Sequence, residues 1–268
     1  MKVDEAEWLP CFPPATAVIV AHPDDETIGV GGQLTRLREA VIIHVTDGSP
    51  RNPSDARAAG FDTRKAYAEA RCAELQCALA LAGITAAQTR QLGIIDQEAT
   101  FNLVSAAREI ARLLAEYRPR VVLTHPYEGG HPDHDATSFA VAAACHLLRQ
   151  QQANVPTVVE MTSYHNSAGR MITGEFLARQ DSRELTLTLS AAQRDLKQQM
   201  IDCFTTQREM LRVFPTSFEK FRAAPAYDYT QPPHEGRLFY EQFNWGTNGA
   251  QWRKQAASAM RELDIAER

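Results

Sequence analysis

Short apolar runs recur along the first 165 residues, and between them apolar positions return every three or four residues. The runs at 15–21, 41–46, 90–95, 120–124 and 157–162 read as strands. The stretch 27–39 reads as a helix burying Ile28, Leu34 and Leu37, and 64–82 as one burying Tyr67, Leu75 and Leu79. A third helix is predicted over 101–117, with Val104, Ala107, Ala111 and Leu114 at helical spacing, and a fourth over 136–149. Strands alternating with helices imply βαβ units with right-handed crossovers. The predicted class is α/β, a Rossmann-like, mostly parallel sheet flanked by helices.

After residue 180 the pattern changes. Residues 184–189 alternate as a strand does, and Ser190 is positioned to cap a helix running to about residue 212. From 214 to 249 the chain is rich in Pro, aromatics, Asn and Gly, with no clear period. Its aromatics argue for an ordered extension over the core rather than disorder. Residues 250–268 read as a surface helix. No linker composition interrupts the chain, so residues 1–268 are expected to form one domain, with a core of about 15–212 and an extension over 213–268.

Bulk properties narrow the partners. With 44% hydrophobic and 23% charged residues the chain has an ordinary globular composition. A net charge of −5 argues against broad nucleic-acid binding, which needs a concentrated basic face. No apolar run approaches the ~20 residues of a membrane span. Residues 1–14 are acidic and proline-containing, without the basic and apolar regions of a secretion signal. The five cysteines, at 11, 72, 77, 145 and 203, have no CxxC spacing and read as buried free thiols. The expected setting is cytoplasmic. The sequence leaves a homo-oligomer open.

The chemistry lies just beyond two of the predicted strands. Ala21-His22-Pro23-Asp24-Asp25-Glu26 follows the first, and His131-Pro132-Asp133-His134 follows the run at 120–124. Parallel strands bring such ends to one rim, where ligands of open α/β sheets bind. Alone, Asp24, Asp25 and Glu26 could merely cap a helix. Two histidines within four residues at the same rim make a shared metal site the better account. His22, Asp25 and His134 can supply three nitrogen and oxygen ligands, and three protein ligands with an open position make a metal site catalytic. Asp24 and His131 would then flank that position, one as base and the other as proton donor or oxyanion stabiliser. Asp133 lies between the two histidines and can orient an imidazole. His44 reads as a core histidine and His125 as a backbone partner. No GxGxxG follows the first strand, which argues against a dinucleotide site.

Together the motifs resemble the PIG-L/LmbE family of zinc-dependent N-acetylglucosaminyl deacetylases. AHPDDE at 21–26 is the family signature in full, and HPDH at 131–134 matches its downstream histidine motif. The resemblance covers about residues 15–165 and extends to Arg71 and Glu74 in the long helix. It implies an LmbE-like fold, with His22, Asp25 and His134 as zinc ligands and Asp24 as general base. It further implies that His131 faces the oxyanion or leaving amine and that Asp133 partners a histidine. Fe2+ or Co2+ would suit the same donors as Zn2+. Some members carry a tyrosine two residues before the first histidine of HPDH; here that position is Gly129, and Tyr127 is the candidate replacement. An acidic residue near position 96 contacts sugar hydroxyls in the family, which makes Asp96 a substrate candidate. Arg51 and His165, in loops at the same rim, join it. The implied activity is removal of an N-acetyl group from a small amino sugar or glycoconjugate. An amidase acting on a thiol conjugate or other amide, and a non-catalytic metal- or sugar-binding protein, are the competing readings.

Overall fold

The computed structural model describes residues 15–179 and 182–266. The N-terminal reading of residues 1–14, and Cys11 with it, lies outside the described residues.

In chain order the elements are β1 (Thr16–Val20), α1 (Asp25–Val30), β2 (Val41–Pro50), α2 (Ser54–Ala58), α3 (Arg64–Leu81), β3 (Thr89–Asp96) and α4 (Leu103–Tyr117). There follow β4 (Val121–Thr124), α5 (Pro132–Gln150), β5 (Thr157–Met161), β6 (Tyr164–Ser167) and β7 (Arg170–Thr173). The last are β8 (Glu184–Thr188), α6 (Ala191–Cys203), α7 (Arg208–Leu211), β9 (Phe218–Ala223) and α8 (Gly249–Glu262). Seven strands form one sheet in the order β3-β2-β1-β4-β5-β9-β8, and β6 and β7 pair in a separate hairpin. The pairings from β3 through β5 are parallel, and β9 lies antiparallel to both of its neighbours. The expected α/β class with a mostly parallel sheet is therefore present. The strand order reverses between β1 and β4, so a crevice opens beyond their carboxyl ends. The two motifs follow those two strands.

Alternation along the strands divides the core. Ala17 and Ile19 of β1, Val41 and Ile43 of β2 and Val122 of β4 face α4, α5 and α8. Val18, Val20, Ile42 and Leu123 face the layer formed by residues 28–37, α3 and α6. Strands buried on both faces read as continuous apolar runs, which is why these were legible.

The structure corrects several elements. The helix predicted over 27–39 is α1 followed by a 3-10 turn, Gly31–Arg36, although Ile28, Leu34 and Leu37 are buried as expected. Ser190 caps α6 through Gln193, but the helix ends at Cys203 and resumes only as the short α7. The supposedly irregular 214–249 stretch supplies β9, an interior strand between β5 and β8. Residues 250–268 were expected to lie on the surface, yet Trp252, Ala256, Ala259 and Met260 of α8 join the core. Of the described cysteines only Cys145 is buried, and Cys77 is exposed. Among the described residues no helix is long and apolar enough to cross a membrane.

Buried charge ties the C-terminal strands to the rim. Lys197 of α6 donates to Ile28 O at 2.8 Å and to Glu219 Oε1 of β9 at 2.9 Å. Glu219 also accepts the Gly32 N–H at 2.7 Å. Arg222 of β9 bonds Glu160 at 2.7 Å and Glu128 at 2.9 Å. The two clusters brace α1 and the loop before α5 from behind.

Candidate metal centre and active site

Residues 21–26 turn sharply out of β1. Asp24 holds φ 121°, a conformation that costs a non-glycine residue about 1–3 kcal/mol and persists only where neighbours enforce it. Here Arg71 donates to Pro23 O at 2.6 Å and to Asp24 Oδ2 at 3.0 Å, and Glu26 Oε2 accepts the Asp24 N–H at 3.1 Å. Asp24 occupies the N-cap position of α1 without making a side-chain cap bond, so capping does not account for it. Glu26 is fully buried and binds His44 Nε2 at 3.0 Å, which makes His44 a core histidine held by the turn.

The second motif is more helical than expected. His131 is the N-cap of α5 and Pro132 opens its first turn, where a missing N–H costs nothing. Asp135 accepts the N–H groups of Glu128 and Gly129, which fastens the preceding loop. His131 Nδ1 accepts the Asp133 N–H at 3.1 Å. The ring proton must therefore sit on Nε2. Burial, then the neighbouring His22, holds His131 well below its ordinary pKa, so it is a neutral donor.

Three side chains converge between the motifs. His22 Nδ1 lies 3.3 Å from Asp25 Oδ2, and His134 Nε2 lies 3.2 Å from Asp25 Oδ1 and 3.3 Å from His22 Nδ1. The His22–His134 spacing matches the about 3.3–3.4 Å between donors around a tetrahedral zinc, while the two histidines meet different oxygens of Asp25. The outer nitrogens are engaged elsewhere. His22 Nε2 lies 3.1 Å from Asp96 and 3.4 Å from Asp133, which as carboxylates can only accept. His134 Nδ1 lies 3.2 Å from Ser163 Oγ. The two carboxylates keep the proton of a neutral His22 on Nε2, and Ser163 can serve His134 as donor or acceptor. Among the described residues three groups cluster closely enough to hold an ion: His22, His131 and His134; His22, Asp96, His131 and Asp133; and Asp25, His125 and His134. The expected set of His22, Asp25 and His134 is divided between the first and the last. His125 accepts the Ala21 N–H, as expected, and also stacks on His134 at 4.0 Å.

The neighbouring charges shift the two histidines in opposite directions. Burial disfavours a charged His22, but Asp96, Asp133 and Asp25 overcome it and raise its pKa well above the ordinary value. Burial pushes His134 down to about 3, with His125 and His22 adding to the effect. Burial would raise Asp25, yet His134 and His125 together hold it well below the usual range. Asp24 goes the other way, raised by burial against the pull of Arg71. Burial likewise lifts Asp133 to about 6.

A cavity of about 160 Å3 opens over this cluster. Asp24, Asp25, His22, His131, His134 and Asp96 line it, together with Ile28, Asp55, Arg71, Gln97, Tyr164, Gln207, Met210, Leu211, Phe214 and Trp245. Asp133 sits behind it, accepting from Gln97 N at 2.6 Å and Ala99 N at 3.0 Å. Arg51 is exposed, pairs with Glu98 and does not line the cavity. His165 turns inward to Glu128, at 3.6 Å, and does not line it either. The rim after β5 is occupied instead by Ser163 and Tyr164, two residues and one residue earlier. Tyr127 does not reach the cavity, since its ring stacks on Trp252 in the core and its hydroxyl donates to Gln231 O. Gly129 has φ 70°, and a Cβ there would meet Leu238 at 2.7 Å, so the tyrosine of some family members would be strained at this position. Phe214 and Trp245 bring part of the 214–249 stretch to the rim, while Tyr227, Tyr229 and Tyr240 pack away from it.

Comparisons with known proteins agree with this layout. The family model described as PIG-L, GlcNAc-PI de-N-acetylase, matches residues 17–145. A probable N-acetyl-alpha-D-glucosaminyl L-malate deacetylase 2 of Bacillus cereus is 31% identical over 150 residues, covering 54% of this chain and 67% of the relative. A 1D-myo-inositol 2-acetamido-2-deoxy-alpha-D-glucopyranoside deacetylase of Mycobacterium sp. (strain KMS) is 30% identical over 161 residues, 52% of each chain, so this chain spans about half the length of that relative. Among solved structures, a deacetylase in complex with teicoplanin aligns with TM-score 0.57 at 16% identity, covering 80% of this chain and 99% of the other. The N,N'-diacetylchitobiose deacetylase of Pyrococcus horikoshii aligns with TM-score 0.54 at 17% identity, covering 82% and 88%. These structural likenesses concern the fold. With both motifs inside the matched segment and the Bacillus relative matched over two-thirds of its length, the chain belongs to the PIG-L family.

Proposed function

We propose that this chain is a metal-dependent hydrolase that removes an N-acetyl group from an amino sugar or glycoconjugate. The observation that carries the reading is the convergence of His22 Nδ1, His134 Nε2 and the Asp25 carboxylate at the crevice, with Asp24 and His131 beside it. The deacetylase activities in the relatives' names support it. His22, Asp25 and His134 would hold the ion. Zinc is preferred for the mixed nitrogen and oxygen donors, and Fe2+ or Co2+ fits the same set. Such an ion supplies Lewis acidity, polarising a carbonyl and making a water nucleophilic near neutral pH.

The chain's own groups do the rest. A raised pKa suits the Asp24 carboxylate to take a proton from the attacking water and keep it while the oxygen bonds to the amide carbon. His131 presents Nε2–H to the cavity and can donate a hydrogen bond to the developing oxyanion, while the proton taken up by Asp24 passes on to the departing nitrogen. Cleavage of the carbon–nitrogen bond then releases acetate and the amine. Asp133 and Asp96 hold His22 in the required tautomer. Asp96 also lines the cavity and keeps a face for substrate hydroxyls. The test is amine release from a panel of N-acetylated sugars and conjugates by protein loaded with each metal in turn. Release that depends on metal and on Asp24 is expected. Metal binding without any turnover would favour a binding protein instead.

A further inference from the structure

The cavity has two unlike sides. Asp24, Asp25, Asp55 and Asp96 contribute carboxylates, and Arg71 is the single lysine or arginine in the lining. Four carboxyl groups thus stand against one guanidinium. A carboxylated or phosphorylated substituent brought here would be repelled. The other side is apolar in character, contributed by Ile28, Tyr164, Met210, Leu211, Phe214 and Trp245, of which Trp245 and Tyr164 adjoin His131 and His134.

That apolar side continues beyond the cavity. Phe243 stacks on Trp245 with centroids 4.5 Å apart and planes 13° from parallel. Phe239 meets Phe243 edge-on at 5.4 Å, and Tyr164 meets Phe239 at 5.6 Å. Trp245 in turn lies 4.6 Å from the His131 ring. Aromatic contacts thus run without a break from a residue of the reaction centre to the surface, where Phe243 is 43% exposed. Val213, next to the cavity residue Phe214, is 46% exposed. Among the described residues only Leu81 and Phe101 join these two as exposed large hydrophobics. Two of the four therefore belong to the two segments that wall the cavity.

We infer that the Trp245–Phe243 shelf is a subsite for an aromatic aglycone, so that the substrate is an N-acetylated amino sugar linked to an uncharged aromatic group. The inference rests on the deacetylase reading above and narrows it. Stacked aromatic faces accept a further ring in offset geometry, whereas the acidic side disfavours a carboxylated aglycone.

The experiment uses the full chain loaded with zinc and three glycosides of N-acetylglucosamine: 4-nitrophenyl, methyl and carboxymethyl. kcat/KM is measured by amine release, and binding by quenching of tryptophan fluorescence. The 4-nitrophenyl glycoside should exceed the methyl glycoside by about tenfold, the reach of one added ring stack. The carboxymethyl glycoside should be the poorest. Phe243→Ala should cut the 4-nitrophenyl to methyl ratio by about threefold or more and weaken quenching. Equal kcat/KM for all three, or a ratio unmoved by Phe243→Ala, would overturn the subsite and leave deacetylation standing. No amine release from any glycoside, with quenching by the 4-nitrophenyl glycoside still sensitive to Phe243→Ala, would remove the deacetylase reading and leave the aromatic subsite in place.

Discussion

The floor of the cavity and its wall are built on different physical terms. The floor comes from the two turns after β1 and β4, and its side chains are buried and held from behind by named partners. Asp24 is pinned by Arg71, His22 by Asp96 and Asp133, and His134 by Ser163. The wall comes mainly from 207–214 and 245, joined by Tyr164 at the start of β6, and it is held by aromatic and aliphatic packing. Directional bonds fix atoms to fractions of an ångström, as proton transfer requires. Ring packing tolerates adjustment, as recognition of a variable substituent requires. The floor should thus govern whether reaction occurs and the wall which molecule reacts.

Substitutions can break that division, starting with the largest expected effect. His134→Ala removes one of three convergent donors. Metal content by elemental analysis should fall sharply and amine release should drop to background; undiminished metal would take His134 out of the ligand set. Asp24→Asn keeps the shape of the turn but cannot accept the proton. Turnover should fall by about 10²- to 10⁴-fold with metal retained, the usual reach of a general base. Near-normal kcat in this variant would move the base elsewhere. Asp133→Asn tests a partner one step back. It keeps an acceptor for only one of the Gln97 and Ala99 N–H groups, which use separate oxygens, and it weakens the hold on His22, so metal affinity or activity should drop by about 10- to 100-fold. The wall sharpens the contrast from the other side. Trp245→Ala should cost about 2- to 12-fold, the span of about 0.5–1.5 kcal/mol for an aromatic contact, expressed in KM more than in kcat. A collapse of kcat comparable to that of Asp24→Asn would mean that Trp245 positions His131 for chemistry and that floor and wall are not separate.

Deleting 214–249 is not a way to isolate the wall. That stretch contains β9, whose Glu219 and Arg222 anchor the braces behind α1 and the loop before α5. Its removal would open the sheet between β5 and β8.

The floor was legible because its signals are local. Residues 17–21 and 121–123 are apolar on every position, which marks strands buried on both faces, and the rule for parallel sheets carries the residues after them to one rim. The motif residues themselves then name the donor chemistry. Much of the wall was not legible, because its members share no period and meet only in three dimensions. Tyr164 and Ser163 follow β5, where the rim rule pointed, but the start of β6 turns His165 toward Glu128 and Tyr164 into the cavity. One residue of phase decided between them, and neighbouring chain sets that phase.

What the sequence determined by itself is the parallel core, the rim and the chemical type of the groups there, since strand burial and ligand type are properties of short stretches. The tertiary structure alone decided which nitrogen of each histidine faces inward, because that depends on acceptors from β3, α5 and the turn after β5. It also decided that β9 exists as an interior strand. Two of its buried positions are Glu219 and Arg222, which are stable there only through Lys197, Glu160 and Glu128, residues distant in the chain. A charged side chain reads as solvent-facing until its partner is known, and only the folded chain supplies the partner.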